Sequence, residues 1–228
     1  MTQSPSTREP RAAERRKHGN LAVIGLIGGI GSGKSSVAAL FEEEARAIVI
    51  DADLVGHELL NDPRVSSQIV DRFGTGVLSG ESAGLQLPSV IDRKALGMIV
   101  FADPVARRDL ETILHPRMRA KFEAVIERES KSQKTEKSMV VLDAAILLEA
   151  GWDDLCDLIV FVDAPRDVRM RRVQAQRGWS RDVFEAREAA QWPCDKKRRR
   201  ADLVITNDAG VDGLQERVQR ILARLAEL

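Results

Sequence analysis

A glycine-rich segment near the start of the chain combines the residue types that bind phosphate groups. Gly28–Ser35 (GGIGSGKS) fits the pattern G-x-x-x-x-G-K-[ST]. Its glycines let the backbone approach phosphate oxygens closely, and the N–H groups of the loop and of the following helix point at the anion. Lys34 adds a mobile cation for the β- and γ-phosphates, and the hydroxyl of Ser35 or Ser36 suits Mg²⁺. The segment predicts a nucleoside triphosphate site, and its expected contacts are Gly29, Ile30, Gly31, Ser32, Gly33, Lys34, Ser35 and Ser36.

Carboxylates follow two apolar runs that predict strands of one sheet. Asp51 and Asp53 follow the first run, and Asp143 ends the second (MVVLD). Ligands of a doubly wound sheet bind beyond the carboxyl ends of its strands. Asp143 or Asp51 therefore suits Mg²⁺ together with Ser35, and one of the alternating pair Asp51 and Asp53 could accept the proton of an attacking hydroxyl. For Asp51, a helix cap for the segment starting near Leu54 is the alternative.

Cations for the charge that develops during phosphoryl transfer cluster in segment 167–200. Arg172 and Arg177 are the best candidates for reaching a triphosphate from a mobile lid. For any single arginine, a solvated helix face is the alternative. The basic run Lys196–Arg200 favours the end of a lid over a nucleic-acid patch, because Asp195 and Asp202 flank it.

Short apolar runs separated by helical patterns predict an α/β fold. We expect a P-loop NTPase-type three-layer sandwich with a five-stranded, mostly parallel sheet, a helical insertion and a lid. A helix over Lys34–Arg46 follows the glycine-rich loop, and an amphipathic helix closes the chain. The predicted strands are Leu21–Ile27, Ala47–Ile50, Met139–Leu142, Leu158–Val162 and Leu203–Thr206.

Pattern and composition also predict the division of the chain. Residues 1–20 are expected to be a disordered tail; residues 21–56, 139–166 and 201–228 the nucleotide-binding core; residues 57–138 a helical domain; and residues 167–200 the lid. Within the helical domain, Gly74–Pro88 and Lys131–Ser138 are predicted loops. The predicted helices there are Gly56–Leu60, Val65–Phe73, Arg93–Phe101 and Pro104–Arg128, the last with a break at Pro116.

The composition argues against several classes of protein. The 35 basic residues balance 35 acidic ones, and aromatic residues make up 4%, so neither nucleic acid nor a membrane is an expected partner. The uncharged run Leu21–Gly33 is shorter than the roughly 20 apolar residues that span a bilayer. The two cysteines lack metal-ligand spacing and predict a reducing, cytoplasmic compartment. Composition sets no oligomeric state.

From about Leu21 to its last helix, the chain resembles the dephospho-CoA kinase family. The first signature is Gly25–Ser35 (GLIGGIGSGKS), followed by Ile50–Asp53 (IDAD). Two positions depart from the family pattern: Ala145 stands where a proline is usual, and Arg169 where a glutamine is common. Further matches are Phe73-Gly74, Asp92-Arg93, Leu96, Phe101, His115-Pro116, Gln191, Lys196, Ala201-Asp202 and Ile205-Thr206-Asn207.

The resemblance implies transfer of the γ-phosphoryl group of ATP to the ribose 3′-hydroxyl of dephospho-CoA, giving CoA and ADP. It implies that Asp53 is the catalytic base, that Lys34 assists, and that Asn207 joins Arg172 and Arg177 at ATP. Residues 57–138 would bind dephospho-CoA, with Arg93 as an anion contact. His115 is a further candidate contact there, although packing beside Pro116 is the alternative.

Two other functions compete with this interpretation. One is another small-molecule or nucleotide kinase of similar architecture. The other is a nucleotide-dependent switch or a nucleic-acid-binding protein that uses Lys196–Arg200.

Overall fold

The computed structural model describes residues 17–79, 90–132, 138–208 and 211–226. The chain folds into two compact units. The first comprises Met1–Ile50 with Val125–Leu228, and the second comprises Asp51–Ala124. Of the predicted disordered tail, residues 1–16 lie outside the described part. The last residues of that tail are ordered, because the Lys17 N–H donates to Asp157 and the His18 ring donates to the Leu155 carbonyl.

The first unit is built on a five-stranded sheet in the order β2-β3-β1-β4-β5. The pairings β1–β3, β1–β4 and β4–β5 are parallel. The central strands are buried on both faces, which explains why the sequence shows them as continuous apolar runs rather than alternating ones. The fold class predicted from the sequence is thereby confirmed. The strands are β1 (Ala22–Gly28), β2 (Ile48–Asp51), β3 (Met139–Asp143), β4 (Leu158–Asp163) and β5 (Leu203–Thr206).

Helices cover this sheet. Helix α1 (Lys34–Ala45) and helix α9 (Val211–Ala226) pack together through a core that includes Phe41, Val160 and Val218. None of these three side chains has exposed surface. Helix α8 (Cys194–Arg200) contacts β1 and β4. In the first unit the helices are α1 (Lys34–Ala45), α6 (Arg166–Arg177), α7 (Arg181–Ala189), α8 (Cys194–Arg200) and α9 (Val211–Ala226).

The second unit is helical, and aspartates begin its helices. The carboxylate of Asp51 accepts the Leu54 N–H, and Asp62 and Asp92 cap the next two helices in the same way. These caps satisfy N–H groups that have no partner within the helix. The helices are α2 (Ala52–Leu59), α3 (Pro63–Phe73), α4 (Arg93–Ala102) and the first part of α5 (Pro104–Ser130), which continues into the first unit.

The predicted helix break at Pro116 is wrong, because α5 runs through it. A proline inside a helix removes one backbone donor and displaces the preceding turn, at a cost of about 3 kcal/mol. Two features offset this cost. The Arg117 guanidinium donates to the carbonyl of Ile113 in that turn. The following turns bury Met118 and Phe122, whose apolar burial is lost if the helix ends early.

Predicted loops in this region hold more structure than the sequence suggested. Thr75–Val77 forms a turn of 3₁₀ helix, and Leu78 and Ile91 form an antiparallel bridge. The rest of the predicted loop Gly74–Pro88, from residue 80 onward, lies outside the described residues, as does segment 133–137 of the loop Lys131–Ser138. Throughout the described ranges, every helix is too short or too polar to cross a membrane.

Candidate active site

The glycine-rich loop joins the end of β1 to the start of α1. Gly31 and Gly33 have φ of 75° and 88°, a left-handed conformation that side chains other than glycine rarely adopt. Gly33 is the N-cap of α1 and offers no side-chain acceptor to the first N–H groups of the helix. Those groups have no partner within α1 and remain available to an anion.

Polar side chains from α6 and from the segment after β5 bind one carbonyl group of the loop. The Asn207 amide donates to the Ser32 carbonyl at 2.8 Å, and the Arg172 guanidinium donates to the Asn207 side chain at 3.2 Å. In a trans peptide the C=O and the next N–H point in opposite directions. Because Asn207 binds the Ser32 carbonyl, the Gly33 N–H points away from Asn207. A Cβ on Gly33 would collide with the Asn207 amide.

A cavity of about 590 Å³ opens in front of the loop, within the size range of ligand sites. It brings together most of the nucleotide contacts predicted from the sequence. Gly29 and Ile30 are not among the described residues that line it; Gly29 packs against Arg169 and Cys194 instead. The cavity is lined by Gly31, Ser32, Gly33, Lys34, Ser35, Ser36, Ala39, Leu40, Glu43, Arg172, Gln176, Arg177, Asn207 and Leu214.

Oxygen ligands suited to a hard divalent cation meet beside the loop. The Ser35 hydroxyl donates to the Asp143 carboxylate at 3.1 Å, and Asp143, at the end of β3, is only 8% exposed. Mg²⁺ is usually held by one or two such groups, while substrate phosphates and water complete its shell. The chemistry of this pair therefore fits Mg²⁺. Within the described residues, no three His, Cys, Asp or Glu side chains form a metal-binding cluster.

Asp51 and Asp53 would point the same way only if the extended geometry of β2 persisted through both, and it does not. Extended geometry ends at Asp51, which caps α2, and Asp53 lies in the first turn of that helix. The helix-cap alternative for Asp51 is thus the observed local role. The sequence left both roles open for Asp51, because a single intervening alanine gives no signal for where the strand ends and the helix begins.

Asp53, His57 and Arg93 lie in the second unit. Asp53 is exposed, and His57 follows it by one turn on the same face of α2. The Arg93 guanidinium contacts His57 Nε2 at 2.9 Å. Because a guanidinium only donates, His57 accepts this hydrogen bond at Nε2. A basic group is therefore held on the face of the second unit that carries Asp53.

His115 lies elsewhere in the second unit, in the middle of α5. Its side chain is half-buried, and burial lowers the pKa of the imidazole, with Glu111 opposing the shift. A histidine kept neutral by burial fits the packing alternative for this residue.

The segment predicted to be a lid carries an aromatic clamp. Trp179 follows α6, and its ring lies between Arg177, at 5.1 Å, and Arg187, at 4.2 Å from the ring centre. Arg177, held by this cation–π contact, also lines the cavity. Charges of the basic run Lys196–Arg200 are also engaged within the first unit: Arg198 pairs with Asp163, and Arg200 with Asp153.

Within the basic run, the buried lysine is Lys197 and not Lys196. Lys196 lies over the Trp192 ring, whereas the Lys197 side chain is 0% exposed and pairs with Glu149 at 2.9 Å. Lys197 also donates to the Ala145 carbonyl and to Gln191. Burial lowers the pKa of Lys197, and the bond to Glu149 opposes that shift. Sequence reasoning missed this residue because adjacent lysines look alike without knowledge of the α8 face that packs inward.

We expect Lys197→Met to lower the free energy of unfolding by about 3 kcal/mol, because removing one partner of a buried ion pair leaves the other charge buried without a partner. Glu149→Gln should have a similar effect, and the double variant should lose less than the sum of the two. Arg181→Met, in the exposed pair Arg181–Glu185, is the matched control and should cost less than about 1 kcal/mol. Urea unfolding measures all four variants. Equal losses of unfolding free energy in Lys197→Met and Arg181→Met would show that the buried pair stabilises the fold no more than the exposed pair does.

Comparison with known proteins identifies the family. The family model of dephospho-CoA kinase matches residues 22–213. A dephospho-CoA kinase from Symbiobacterium thermophilum is 41% identical over 202 residues, covering 87% of this chain and 79% of the relative. One from Geobacter sulfurreducens is 39% identical over 203 residues, covering 89% and 98%. The crystal structure of TT1252 from Thermus thermophilus aligns with a TM-score of 0.71 at 33% identity, covering 90% of this chain and 97% of that one. The resemblance seen in the sequence is confirmed, and the chain belongs to the dephospho-CoA kinase family.

Proposed function

We propose that this chain transfers the γ-phosphoryl group of ATP to the ribose 3′-hydroxyl of dephospho-CoA, forming CoA and ADP, the final step of CoA biosynthesis. The observation that carries the proposal is the phosphate loop, whose Ser32 carbonyl is bound by Asn207 and whose residues Gly31–Ser36 line a nucleotide-sized cavity. Membership of the dephospho-CoA kinase family indicates dephospho-CoA as the acceptor.

The loop and the arginines of α6 would bind the triphosphate. The N–H groups of Gly31 and Gly33 donate to phosphate oxygens, and Lys34 places its ammonium between the β- and γ-phosphates. Arg172 and Arg177 line the same cavity and offset negative charge on the transferred group. Gly29, Ile30 and Ser32 would contribute through the loop backbone, Ser36 through the start of α1, and Asn207 by holding the loop.

Ser35 and Asp143 would hold Mg²⁺, with Asp51 as a further candidate. Bound there, Mg²⁺ would supply positive charge that offsets the negative charge developing on the transferred phosphoryl group. The Ser35–Asp143 hydrogen bond already places the two oxygen groups at adjacent positions.

Residues of the second unit would orient the acceptor. Asp53, exposed in the first turn of α2, accepts the proton of the 3′-hydroxyl. Arg93, held by His57, offers a guanidinium to an anionic group of dephospho-CoA. His115 remains a candidate contact. In this proposal residues 57–138 form the acceptor domain, and residues 167–200 form a lid whose closure excludes water and limits ATP hydrolysis.

A cytoplasmic location fits the cysteine chemistry. Cys156 and Cys194 are both free thiols, and burial raises the pKa of each. Unpaired thiols persist in a reducing compartment.

An acceptor panel with Mg·ATP tests the proposal. We expect dephospho-CoA to support ADP release with formation of equimolar CoA. CoA itself is the matched control, because its 3′-hydroxyl already carries a phosphoryl group, and it should give no ADP. Adenosine, AMP and 4′-phosphopantetheine test for a different small-molecule or nucleotide kinase. ADP release with one of these, and none with dephospho-CoA, would overturn the proposed acceptor.

A further inference from the structure

Arg169 is a buried arginine directly behind the phosphate loop. It stands on α6 at the position where the family commonly has glutamine, and it is 5% exposed. Its guanidinium donates to three places. Nη1 reaches the Ile30 carbonyl at 3.2 Å, Nε reaches the Ala164 carbonyl at 3.2 Å, and Nη2 pairs with Glu188 at 2.7 Å.

The loop backbone packs tightly against this residue. A Cβ on Gly29 would lie 2.6 Å from Arg169 Nη1, and a Cβ on Gly31 would lie 2.6 Å from the Arg169 carbonyl oxygen. Because the Ile30–Gly31 peptide is trans, binding of its carbonyl by Arg169 turns the Gly31 N–H to the opposite side. Gly31 lines the nucleotide-sized cavity, and an N–H turned toward that cavity would meet a phosphate bound there.

Glu188 ties this contact to the neighbouring helix. It lies on α7, where it also accepts from Arg166 at 2.8 Å. Both arginines lie over the buried Phe184 ring of the same helix. Burial opposes ionisation of Glu188, but the hydrogen bonds from both arginines outweigh it and lower the pKa of the carboxyl. The Glu188 carboxylate thus fixes Nη2 of Arg169, while Nη1 of the same guanidinium binds the loop carbonyl.

We propose that Arg169 is a positioning residue that holds the Gly31 N–H in its phosphate-binding orientation, and that Glu188 couples this orientation to the packing of α7. The inference rests on the proposed nucleotide-binding role of the loop. Arginine suits the task, since its planar fork binds in several directions at once, which the single ammonium of lysine does not match.

Titration calorimetry of the full chain with ADP and with adenosine tests this. Arg169→Met should weaken ADP binding about 10-fold. The variant loses the charged hydrogen bond to the Ile30 carbonyl, which orients the Gly31 N–H for phosphate binding. Adenosine, which has no phosphate for the loop to bind, should keep its affinity. Arg171→Met is the matched control, since Arg171 lies on the same helix but is 66% exposed, and it should bind both probes as the wild type does.

Further variants separate positioning from folding. Arg169→Met should fold, because Arg166 still pairs with Glu188; if it does not, Glu188→Gln decides, with an expected loss of about threefold for ADP only. Arg169→Lys should restore part of the affinity lost in Arg169→Met. Unchanged ADP binding in Arg169→Met, or in Glu188→Gln where that variant decides, contradicts the inference, as does equal loss for ADP and adenosine. A wild-type chain that binds no ADP would instead contradict the proposed function.

Discussion

The Asp53→Asn variant is expected to bind ATP as tightly as the wild type and to lose between about 100- and 10,000-fold in kcat, the usual contribution of a general base. Asparagine has the same shape as aspartate but cannot accept the proton of the 3′-hydroxyl. Asp53 is exposed in the first turn of α2, so the substitution buries no new polar group and the fold should be unaffected. Calorimetric titration with ATP and a coupled assay of ADP release measure the two quantities separately.

Asp62→Asn provides the matched control for this prediction. Asp62 begins α3 in the same unit, and its carboxylate caps that helix. Asparagine caps a helix about as well as aspartate, so Asp62→Asn should keep both turnover and stability. Near wild-type turnover in Asp53→Asn would refute Asp53 as the base. Loss of turnover in Asp51→Asn alone would assign the proton transfer to Asp51.

The parts of the fold that the sequence predicted are those set by local patterns. A strand buried on both faces needs a continuous apolar run, so β1, β3 and β4 are visible in the sequence. The phosphate loop is visible because its chemistry requires glycine, lysine and serine at fixed spacing. Arg172 and Asn207 were predicted at the nucleotide site, and the structure places both at the cavity, 3.2 Å from each other.

Features that depend on contacts between distant residues could not be predicted. Pro116 predicts a break, and only the burial along α5 and the Arg117 contact explain why the helix continues. Lys196 and Lys197 are equivalent in the sequence, and the partner Glu149 that distinguishes them lies 48 positions before Lys197. Arg169 appeared only as a departure from the family pattern until its contact with the Ile30 carbonyl was known.

The conformation of Gly33 leads to the second large effect. We expect Gly33→Ala to weaken ATP binding by about 100-fold or more, a loss of about 3 kcal/mol. Two costs combine. Alanine at a φ of 88° is strained by about 1–2 kcal/mol, and its Cβ collides with the Asn207 amide. Moving Asn207 removes its hydrogen bond to the Ser32 carbonyl, so the Gly33 N–H is no longer held in the orientation that we propose for phosphate binding.

Gly151→Ala separates these two costs. Gly151 also begins a helical turn with a positive φ, of 69°, but a Cβ there would meet nothing within 4 Å. Gly151→Ala should therefore lose about 1–2 kcal/mol in the free energy of unfolding, measured with urea, and Gly33→Ala should lose more because of the collision with Asn207. Only Gly33→Ala should lose ATP affinity in calorimetric titration. If the two variants bind ATP equally well, backbone strain alone explains the need for glycine at position 33. In that case the contact between Asn207 and the loop does not orient the N–H groups of the loop toward the nucleotide.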